Sequence, residues 1–357
     1  MMPTAPTSIR PVLEESCAEL GHWLSTRGHQ PFRVRQVRRW IIEQRAVSFD
    51  QMTDLTQSLR QELGDHFTCL GTRVHHHARS DDDTHKLLLR LSDDQLIECV
   101  LIREGNRRTA CVSTQVGCAM GCVFCASGLN GLARNLTAVE ILEQLIHLRN
   151  LLPAAERLTH VVVMGMGEPL ANLTNLLAAL GIATQRPGLG IGKRHVTIST
   201  VGLPSRIRDL ADEKAPYHLA VSLHGPNDQV RSRIVPTNER IGLADILAAA
   251  DYYFQTTGRQ VTYEYVLLRD LNDSVSHAAE LAKLLKGRQA HVNLIPFNDV
   301  EGLPYRRPAT SALSAFVDVL RRAKVSVKVR KRKGSEIDAA CGQLRRRIEA
   351  GTPSAKV

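Results

Sequence analysis

The sequence lacks the features that direct a chain into a membrane or out of the cell. Its first residues contain no apolar stretch followed by a small-residue cleavage site, and no segment approaches the roughly 20 apolar residues of a membrane span. We therefore expect a cytoplasmic protein that does not enter a membrane. Thiols stay reduced in that compartment, so clustered cysteines favour metal binding or catalysis over a framework of disulfide bonds.

Aromatic residues are scarce, and the sequence has no internal repeat, low-complexity segment or proline-rich linker. Aromatics make up 4% of the 357 residues, whereas hydrophobic residues make up 43% and are mostly Leu, Val, Ile and Ala. This composition can fill a core and suits an α/β protein. The length suits one large domain accompanied by a small one.

The balance of charge is basic. Lys and Arg number 46 against 36 Asp and Glu, which gives a net charge of +10. Basic residues are concentrated at 27–39 and again at 324–333, with three further arginines at 345–347. Each run alone could be a solvated face, but two runs on either side of a candidate catalytic centre favour RNA or DNA as a partner.

The spacing of apolar residues predicts four segments. Residues 1–68 show helical spacing, which predicts a small accessory domain whose arginine-rich face is suited to RNA. Residues 69–103 contain two short apolar runs separated by turn residues, which predicts a small β extension. Residues 104–335 form the α/β core, and residues 336–357 form a C-terminal segment.

Strands and helices alternate through the predicted core. The predicted strands are 110–116, 158–164, 194–200, 217–223, 260–268 and 290–296. The predicted helices are 137–152, 172–182, 204–212, 243–256, 276–286 and 310–323, and the first opens with a capping box from Thr137 to Glu140. This alternation predicts a parallel sheet with outer helices, either an open doubly wound sheet or a full or partial barrel. In each case the active residues lie at the carboxyl ends of the strands.

Three cysteines on one short stretch are the strongest chemical signal. Cys118, Cys122 and Cys125 are spaced C-x3-C-x2-C. Three thiolates can hold three irons of a cubane iron–sulfur cluster and leave the fourth iron open to a small ligand. Structural zinc prefers four ligands, and no second cysteine or histidine pair follows at zinc-ribbon distance, so zinc is the weaker alternative. Cys111 lies seven residues upstream, at an odd distance for a fourth ligand.

The sequence around these cysteines resembles the cluster motif of radical S-adenosylmethionine enzymes. Six segments, in chain order, together resemble the family that methylates carbon 2 of an adenine in bacterial 23S ribosomal RNA, over about residues 28–348. They are STQVGCAMGCVFC, VVMGMGEPL, VTISTVG, AVSLHGPND, NLIPFN and IDAACGQL.

The resemblance implies a fold, cofactors and partners. The fold is α/β, with a full or partial radical-SAM (β/α) barrel as its core. One [4Fe-4S] cluster per chain would bind S-adenosylmethionine at its open iron, and two molecules of S-adenosylmethionine would be used per turnover. The implied partners are 23S rRNA, a tRNA as a second substrate, and an electron donor such as a flavodoxin system. We expect a monomer.

The resemblance also assigns a set of contacts to S-adenosylmethionine, all near the carboxyl ends of predicted strands. Glu168 would lie near the amino group of that cofactor. Taken singly, each of these positions is more often a satisfied polar residue at a strand end. The residues are Gly167, Glu168, Ser199, Ser222, Leu223, His224 and Asn298.

Three further residues carry the chemistry that the resemblance implies. Carbon 2 of adenine is electron-poor and cannot simply take a methyl cation, so Cys341 would first be methylated and then lose a hydrogen atom to the deoxyadenosyl radical. The resulting S–CH2 radical adds to the ring and leaves a covalent protein–RNA adduct. Cys111 would resolve the adduct by attacking the bridging sulfur, with formation of a disulfide bond.

Glu98 matches the family's proton acceptor, although Cys111 could equally remove the ring proton. Without the resemblance, Glu98 would be an exposed strand residue with a surface partner, and Cys341 a buried small hydrophobe. No role follows for Cys17, Cys69 or Cys99.

Two alternatives remain. A paralogous enzyme that methylates carbon 8 of the same adenine shares the cysteines, but Pro169 after GMGE and Pro296-Phe297 in NLIPFN favour the carbon-2 enzyme. A non-catalytic, metal-stabilised RNA-binding protein would need neither Cys111 nor Cys341.

Overall fold

The computed structural model describes residues 10–13, 18–298 and 302–330, and its N-terminal part is helical. The helices are α1 (Ala18–Thr26), α2 (Phe32–Ile42) and α3 (Gln57–His66), and the short strands β1 (Arg10–Pro11) and β2 (Phe67–Thr68) pair beside them. Helix α2 buries Val37, Ile41 and Ile42 and leaves Arg35 and Arg39 exposed. This amphipathic spacing fixes which face packs inward.

Ten strands form one continuous, open sheet. The remaining strands are β3 (Arg73–Arg79), β4 (His85–Arg90), β5 (Leu96–Glu104), β6 (Arg107–Cys111), β7 (Gln115–Gly117), β8 (Leu132–Asn135), β9 (His160–Val163), β10 (Val196–Thr200), β11 (His218–Ser222), β12 (Val261–Leu267), β13 (Ala290–Pro296) and β14 (Ser326–Val329). The sheet has the order β14-β13-β12-β11-β10-β9-β6-β5-β4-β3, and β7 pairs only with β8. Strands β6 and β9 to β14 run parallel, whereas β3 to β6 pair antiparallel.

Helices connect the parallel strands. They are α4 (Ala138–Asn150), α5 (Leu173–Thr184), α6 (Pro204–Asp212), α7 (Asp228–Ile234), α8 (Leu243–Thr257), α9 (Val275–Leu284) and α10 (Thr310–Arg322). The predicted capping box is present at the start of α4, where Thr137 accepts from the Glu140 N–H and Glu140 accepts from the Thr137 N–H. No helix in the described ranges is long and apolar enough to cross a membrane.

The two faces of the sheet differ in chemistry. Val161, Val163, Ile198 and Val221 point to one face and lie with the outer helices in a single hydrophobic core. The residues between them along the strands, such as Ser199, point to the other face because side chains alternate in a strand. One helix-covered face and one polar face are typical of a partial barrel rather than of a doubly wound sheet. The predicted α/β core and helical N-terminal segment are therefore present.

The N-terminal helices are fixed to the core through α4. Arg149 of α4 donates to the carbonyl oxygens of Ile41 and Ile42 at the end of α2. Glu143 accepts hydrogen bonds from the N–H groups of Gly71 (2.8 Å) and Thr72 (2.7 Å), which lead into β3. Burial raises the pKa of Glu143 to about 7. Paired polar groups in a buried junction hold the helical segment in one orientation.

The structure differs from the predicted strand 110–116. The chain leaves the main sheet after Cys111 and re-enters an extended conformation only in β7. Between them, the buried side chain of Gln144 accepts from the Ser113 N–H and donates to the Ser113 carbonyl, at 2.8 and 3.0 Å. The Gln144 side chain therefore makes the hydrogen bonds to the Ser113 backbone that a neighbouring strand would otherwise make. Among the described elements, the helices α1 and α7, the edge strands β3 and β14, and the short strands β1, β2 and β8 had no individual prediction.

Candidate radical S-adenosylmethionine site

The cysteine loop lies at the carboxyl ends of the parallel strands. It follows β7, and the Cys118 N–H donates to the Gly131 carbonyl at the start of β8. The Val123 N–H donates to the carbonyl of Ile234 at the end of α7. Gly117 has a φ of +81°, and a Cβ there would come within 2.0 Å of the Gly131 carbonyl oxygen, so glycine is required. These contacts fix the loop at both ends.

The three predicted ligands are half-buried thiols that affect one another. Burial raises the pKa of Cys118 to about 12, with smaller contributions from Cys125 and Glu168. Burial also raises the pKa of Cys122, and both neighbouring cysteines add to that shift. Thiols so close in an apolar setting are stabilised as thiolates only by a positive group, and binding of a metal centre would release their protons.

The number of these thiols bears on the choice of metal. Structural zinc prefers four ligands. A cubane cluster binds three protein thiols through three separate irons and leaves its fourth iron open. A set of three thiols therefore suits a cluster better than zinc.

An apolar cluster covers the cysteine loop. Val201, Ile234, Val266 and Phe297 are buried there, and Cys122 and Phe124 pack against them. The Phe124 ring meets the His224 ring edge to face, with 4.8 Å between centroids. The loop therefore contacts the end of β11 directly, and water is excluded from one side of the thiols.

Glu168 joins the ends of β9 and β10. Its Oε2 accepts from the Val201 N–H at 2.7 Å, and its Oε1 accepts from the Leu170 N–H at 3.0 Å. Burial raises the pKa of this carboxyl, while the hydrogen bonds oppose the shift. A carboxylate has about four acceptor positions, so Glu168 retains capacity for an ammonium group. The neighbouring Gly167 has a φ of +102°, and a Cβ there would meet the Gln115 side chain at 2.5 Å.

The predicted positions at the ends of β10 and β11 lie on neighbouring strands. Ser199 pairs with Ala220, and Ser222 pairs with Glu264. The Leu223 side chain is fully buried in the main core, and its N–H donates to the Glu264 carbonyl. Only its backbone is therefore placed to face a ligand.

His224 and Asn298 complete the predicted set. His224 adopts a φ of +58°, and its Nδ1 accepts from the Val266 N–H at 3.1 Å. Burial lowers the pKa of His224 to about 3, so the ring is neutral near pH 7. Asn298 is half-buried, and its Oδ1 accepts from Arg307 at 3.4 Å. The structure thus brings the cysteine loop together with Glu168 and His224.

Glu98 and Cys111 lie on the same face of the sheet. Val100 is opposite Cys111 in the pairing of β5 with β6, and Glu98 is two residues from Val100 along β5. The period of two in a strand puts all three side chains on one face. Cys111 and Glu98 are 7% and 0% exposed, so Glu98 is not the exposed, surface-paired residue expected without the resemblance.

A lysine that the sequence analysis did not single out is the partner of Glu98. The Lys86 Nζ lies 2.8 Å from Glu98 Oε2, and both side chains are 0% exposed. Lys86 lies on the same face because it pairs with Val100. A lone lysine in the apolar run KLLLRL was the available sequence signal. Ser113 links this pair to the cofactor region, since its Oγ donates to the Glu98 carbonyl and accepts from the Met166 N–H.

Breaking the buried ion pair of Lys86 and Glu98 should destabilise the protein strongly. We expect Lys86→Met to lower the free energy of unfolding by about 3–5 kcal/mol, because it leaves a carboxylate buried without its ammonium group. Lys86→Met/Glu98→Leu should recover most of that loss. Urea unfolding monitored by circular dichroism measures both. Arg90→Met is the control, since Arg90 belongs to an exposed pair with Asp94. A loss in Lys86→Met no larger than in Arg90→Met would contradict the expectation.

The remaining cysteines divide into two groups. Cys69 and Cys99 are buried in the main hydrophobic core, which agrees with the absence of a predicted role. Cys17 and the predicted methyl carrier Cys341 lie outside the described residues. A disulfide bond in the resting protein is not supported, because the described part of the chain contains none and Cys111 carries a reduced thiol there.

Comparison with known proteins gives consistent matches over the chain. Residues 112–282 match the family model of the radical SAM superfamily, and residues 12–69 match the model of the ribosomal RNA large subunit methyltransferase N-terminal domain. The first model covers β9 to β12 and the cysteine loop. The second covers the N-terminal helices, which agrees with a separate helical segment.

Similar proteins extend these matches. The probable dual-specificity RNA methyltransferase RlmN of Rhodopirellula baltica is 54% identical over 335 residues, which cover 94% of this chain and 90% of that protein. The protein of the same description from Bacillus subtilis is 43% identical, covering 92% and 90%. The crystal structure of a radical SAM methyltransferase from Sphaerobacter thermophilus superposes with a TM-score of 0.87 at 41% identity, covering 96% of this chain and 99% of that one.

Proposed function

Because this chain belongs to the dual-specificity RNA methyltransferase RlmN family of the radical SAM superfamily, we propose that it methylates carbon 2 of adenine in RNA. The substrates are a specific adenine of 23S rRNA and an adenine in the anticodon loop of tRNA. The observation that carries the proposal is the cysteine loop held at the strand ends beside Glu168 and His224, with Cys111 and Glu98 on the polar face of the same sheet.

Membership of the superfamily implies an iron–sulfur cluster and S-adenosylmethionine. Cys118, Cys122 and Cys125 would hold one [4Fe-4S] cluster per chain, and two molecules of S-adenosylmethionine would be consumed per turnover. When bound, these cofactors supply a radical that removes a hydrogen atom from an unreactive carbon. Cofactor contacts are proposed for the residues at the strand ends, namely Gly167, Glu168, Ser199, Ser222, Leu223, His224 and Asn298.

The chain's own residues would complete the reaction on RNA. In the adduct, a methylene carbon joins the sulfur of Cys341 to carbon 2 of the adenine. Glu98 takes the ring proton, or Cys111 does so in its place, and the unpaired electron that the radical addition leaves on the ring would pass to the cluster. The Cys111 thiolate then attacks the Cys341 sulfur, the sulfur–carbon bond breaks with its electron pair on carbon, and that carbon takes up a proton to become the methyl group. Two thiols have then become a disulfide.

The burial of Glu98 and Cys111 supports these roles. The Glu98 carboxylate is shielded from water, since Leu88, Leu96 and Val100 on the same face are buried, and the Lys86 ammonium group lies 2.8 Å from it. Cys111 is adjacent to Val162 of β9, whose strand leads into the Glu168 loop. The residues proposed for cofactor binding and for proton transfer thus share a rigid support.

We further propose a cytoplasmic monomer that receives electrons from a flavodoxin-type donor. The RNA substrates support that location, since ribosomes and tRNA act in the cytoplasm. The segment boundaries at residues 68, 103 and 335 belong to the same proposal, with the arginine-rich face of α2 as an RNA contact. Arg35 and Arg39 of that helix are exposed, as an RNA contact requires.

The position of the methyl group tests the proposed function. The anaerobically reconstituted protein would be incubated with 23S rRNA fragments or tRNA, S-adenosylmethionine and a reductant, and the nucleosides analysed by mass spectrometry against carbon-2 and carbon-8 standards. We expect 2-methyladenosine from both RNAs. 8-Methyladenosine would indicate the paralogous activity, and an iron-loaded protein that binds RNA without methylating it would indicate the non-catalytic alternative.

A further inference from the structure

Arg231 is a buried cation beside the cysteine loop to which the proposed function gives no role. It lies in α7 and is 1% exposed. Asn227 caps this helix by accepting from the Val230 N–H. At Gly225 an added Cβ would come within 2.7–2.8 Å of the Arg231 backbone, so a glycine there lets the helix approach the turn after β11. The local sequence therefore forces Arg231 into the interior.

The guanidinium group connects the ends of two strands. Its Nε donates to the Leu223 carbonyl at 3.0 Å. Its Nη2 donates to the Val201 carbonyl at 2.6 Å and, more weakly, to the Ser222 carbonyl at 3.5 Å. Val201 follows β10, whereas Ser222 ends β11. A planar group with five donors can hold several carbonyls in fixed positions, which a single amide cannot do.

Within the described ranges the guanidinium group forms no ion pair, and its remaining hydrogen bond goes to the neutral Oδ1 of Asn238. The carboxylate of Asp228, three residues earlier in the same helix, offsets part of the positive charge. Burial lowers the pKa of Arg231 to about 10, so the group remains charged at neutral pH. Burying a cation that no carboxylate hydrogen-bonds is costly, and holding carbonyl groups in place does not by itself require a charge.

The charge acts on the cysteine loop. The Val123 N–H, next to Cys122, donates to the carbonyl of Ile234 at 3.0 Å, and the Val235 N–H donates to the Arg231 carbonyl, so the helix that carries Arg231 lies directly against the loop. Cys122 packs on Ile234 and Val235, which follow Arg231 along the chain. Charges interact strongly across such an apolar region because little water screens them.

We propose that Arg231 is a positioning residue with two effects: it holds the ends of β10 and β11 in place for S-adenosylmethionine, and its fixed charge raises the reduction potential of the cluster on Cys122. The proposal rests on the proposed function, since it needs the cluster. Reduction adds one electron to the cluster and makes it more negative. A nearby positive charge stabilises the reduced form, and charge near a cluster is one of the means by which proteins set its potential.

Three substitutions separate the two effects. Arg231→Lys keeps a charge but loses the planar set of donors, Arg231→Gln loses both, and Arg233→Gln changes an exposed arginine of the same helix as a control. Each protein would be reconstituted anaerobically and its iron counted. A titration with dithionite, followed by electron paramagnetic resonance, gives the reduction potential, and calorimetry gives the Kd of S-adenosylmethionine.

We expect Arg231→Gln to have a more negative potential than wild type and a Kd raised about tenfold or more. Arg231→Lys should keep a potential near that of wild type but show a similar loss of affinity. An iron-loaded Arg231→Gln with the wild-type potential would overturn the electrostatic effect. Wild-type Kd values in both variants would overturn the positioning effect.

A second substitution tests the effect of the charge independently in case the Arg231→Gln protein does not fold. Asn238→Asp places a carboxylate against the guanidinium and should also make the potential more negative, whereas an unchanged potential there would contradict the proposal. Failure of the proposed function has a different signature, because wild type and Arg233→Gln would then lack either the cluster or methylation. Failure of this inference leaves both of them loaded and active.

Discussion

Replacement of Cys122 by alanine will abolish cluster binding and methylation. Two thiols, Cys118 and Cys125, remain, and two ligands do not retain a cubane cluster. We expect iron to fall from about four to below about one per chain, and methylation to fall by at least about a thousandfold. Alanine fits the site because Cys122 packs among apolar residues, so the fold should persist. Iron analysis and absorbance of the anaerobically purified protein measure the loss.

Cys69→Ala is the matched control for this prediction. Cys69 is also a buried cysteine in a hydrophobic cluster, but it lies beside β2, away from the loop. It should retain iron and activity while losing a small amount of stability from the cavity. A Cys122→Ala protein with the full iron content would show that the cluster is held elsewhere, and the proposed ligand set would fail with it.

Cys111→Ala will stop the reaction after the methylene bridge has formed. Without the resolving thiol, nothing attacks the sulfur of Cys341, so turnover should fall below one RNA per chain and a covalent protein–RNA species should accumulate. Denaturing gel electrophoresis with labelled RNA measures that species. Cys341→Ala should form none, because no bridge can start there.

Cys99→Ala controls for the loss of a buried thiol near the same strands. Cys99 belongs to β5 next to Glu98, but its side chain lies in the helix-covered core, on the face opposite Cys111. It should turn over RNA repeatedly and leave no adduct. An iron-loaded Cys111→Ala protein that also turns over repeatedly would remove the resolving role from Cys111.

The buried pair of Lys86 and Glu98 suits the role proposed for the polar face of the sheet. A general base is more effective when water is excluded from it, and both side chains of the pair are 0% exposed. The same arrangement makes Glu98 hard to test by substitution alone, since Glu98→Gln also leaves Lys86 buried without a charge partner. The double variant described above distinguishes a loss of folding from a loss of chemistry.

The alternation of strands and helices was predictable because it depends on local periodicity. Apolar residues along 158–164 or 260–268 reveal a buried strand wherever that strand sits in the sheet. The capping box of α4 is similarly local, since its two partners are only three positions apart in the chain. The edge strands were not predicted because an edge strand has a neighbour on one side only and needs fewer buried residues. The sequence of β3, RVHHHAR, accordingly shows almost no alternation of apolar residues.

The sequence by itself determined the alternating strands and helices of the parallel core, and it predicted the ligand triplet and the site residues at the strand ends, because each of these follows from the spacing of neighbouring positions. Only the tertiary structure decided which strands are neighbours in the sheet and which side chains share a face. The register of β4, β5 and β6 places Lys86, Glu98 and Cys111 on one face, and a short helix after β11 carries Arg231 to the ends of β10 and β11. Such partnerships join residues far apart in the chain, and the free energy of burial, rather than local spacing, selects them.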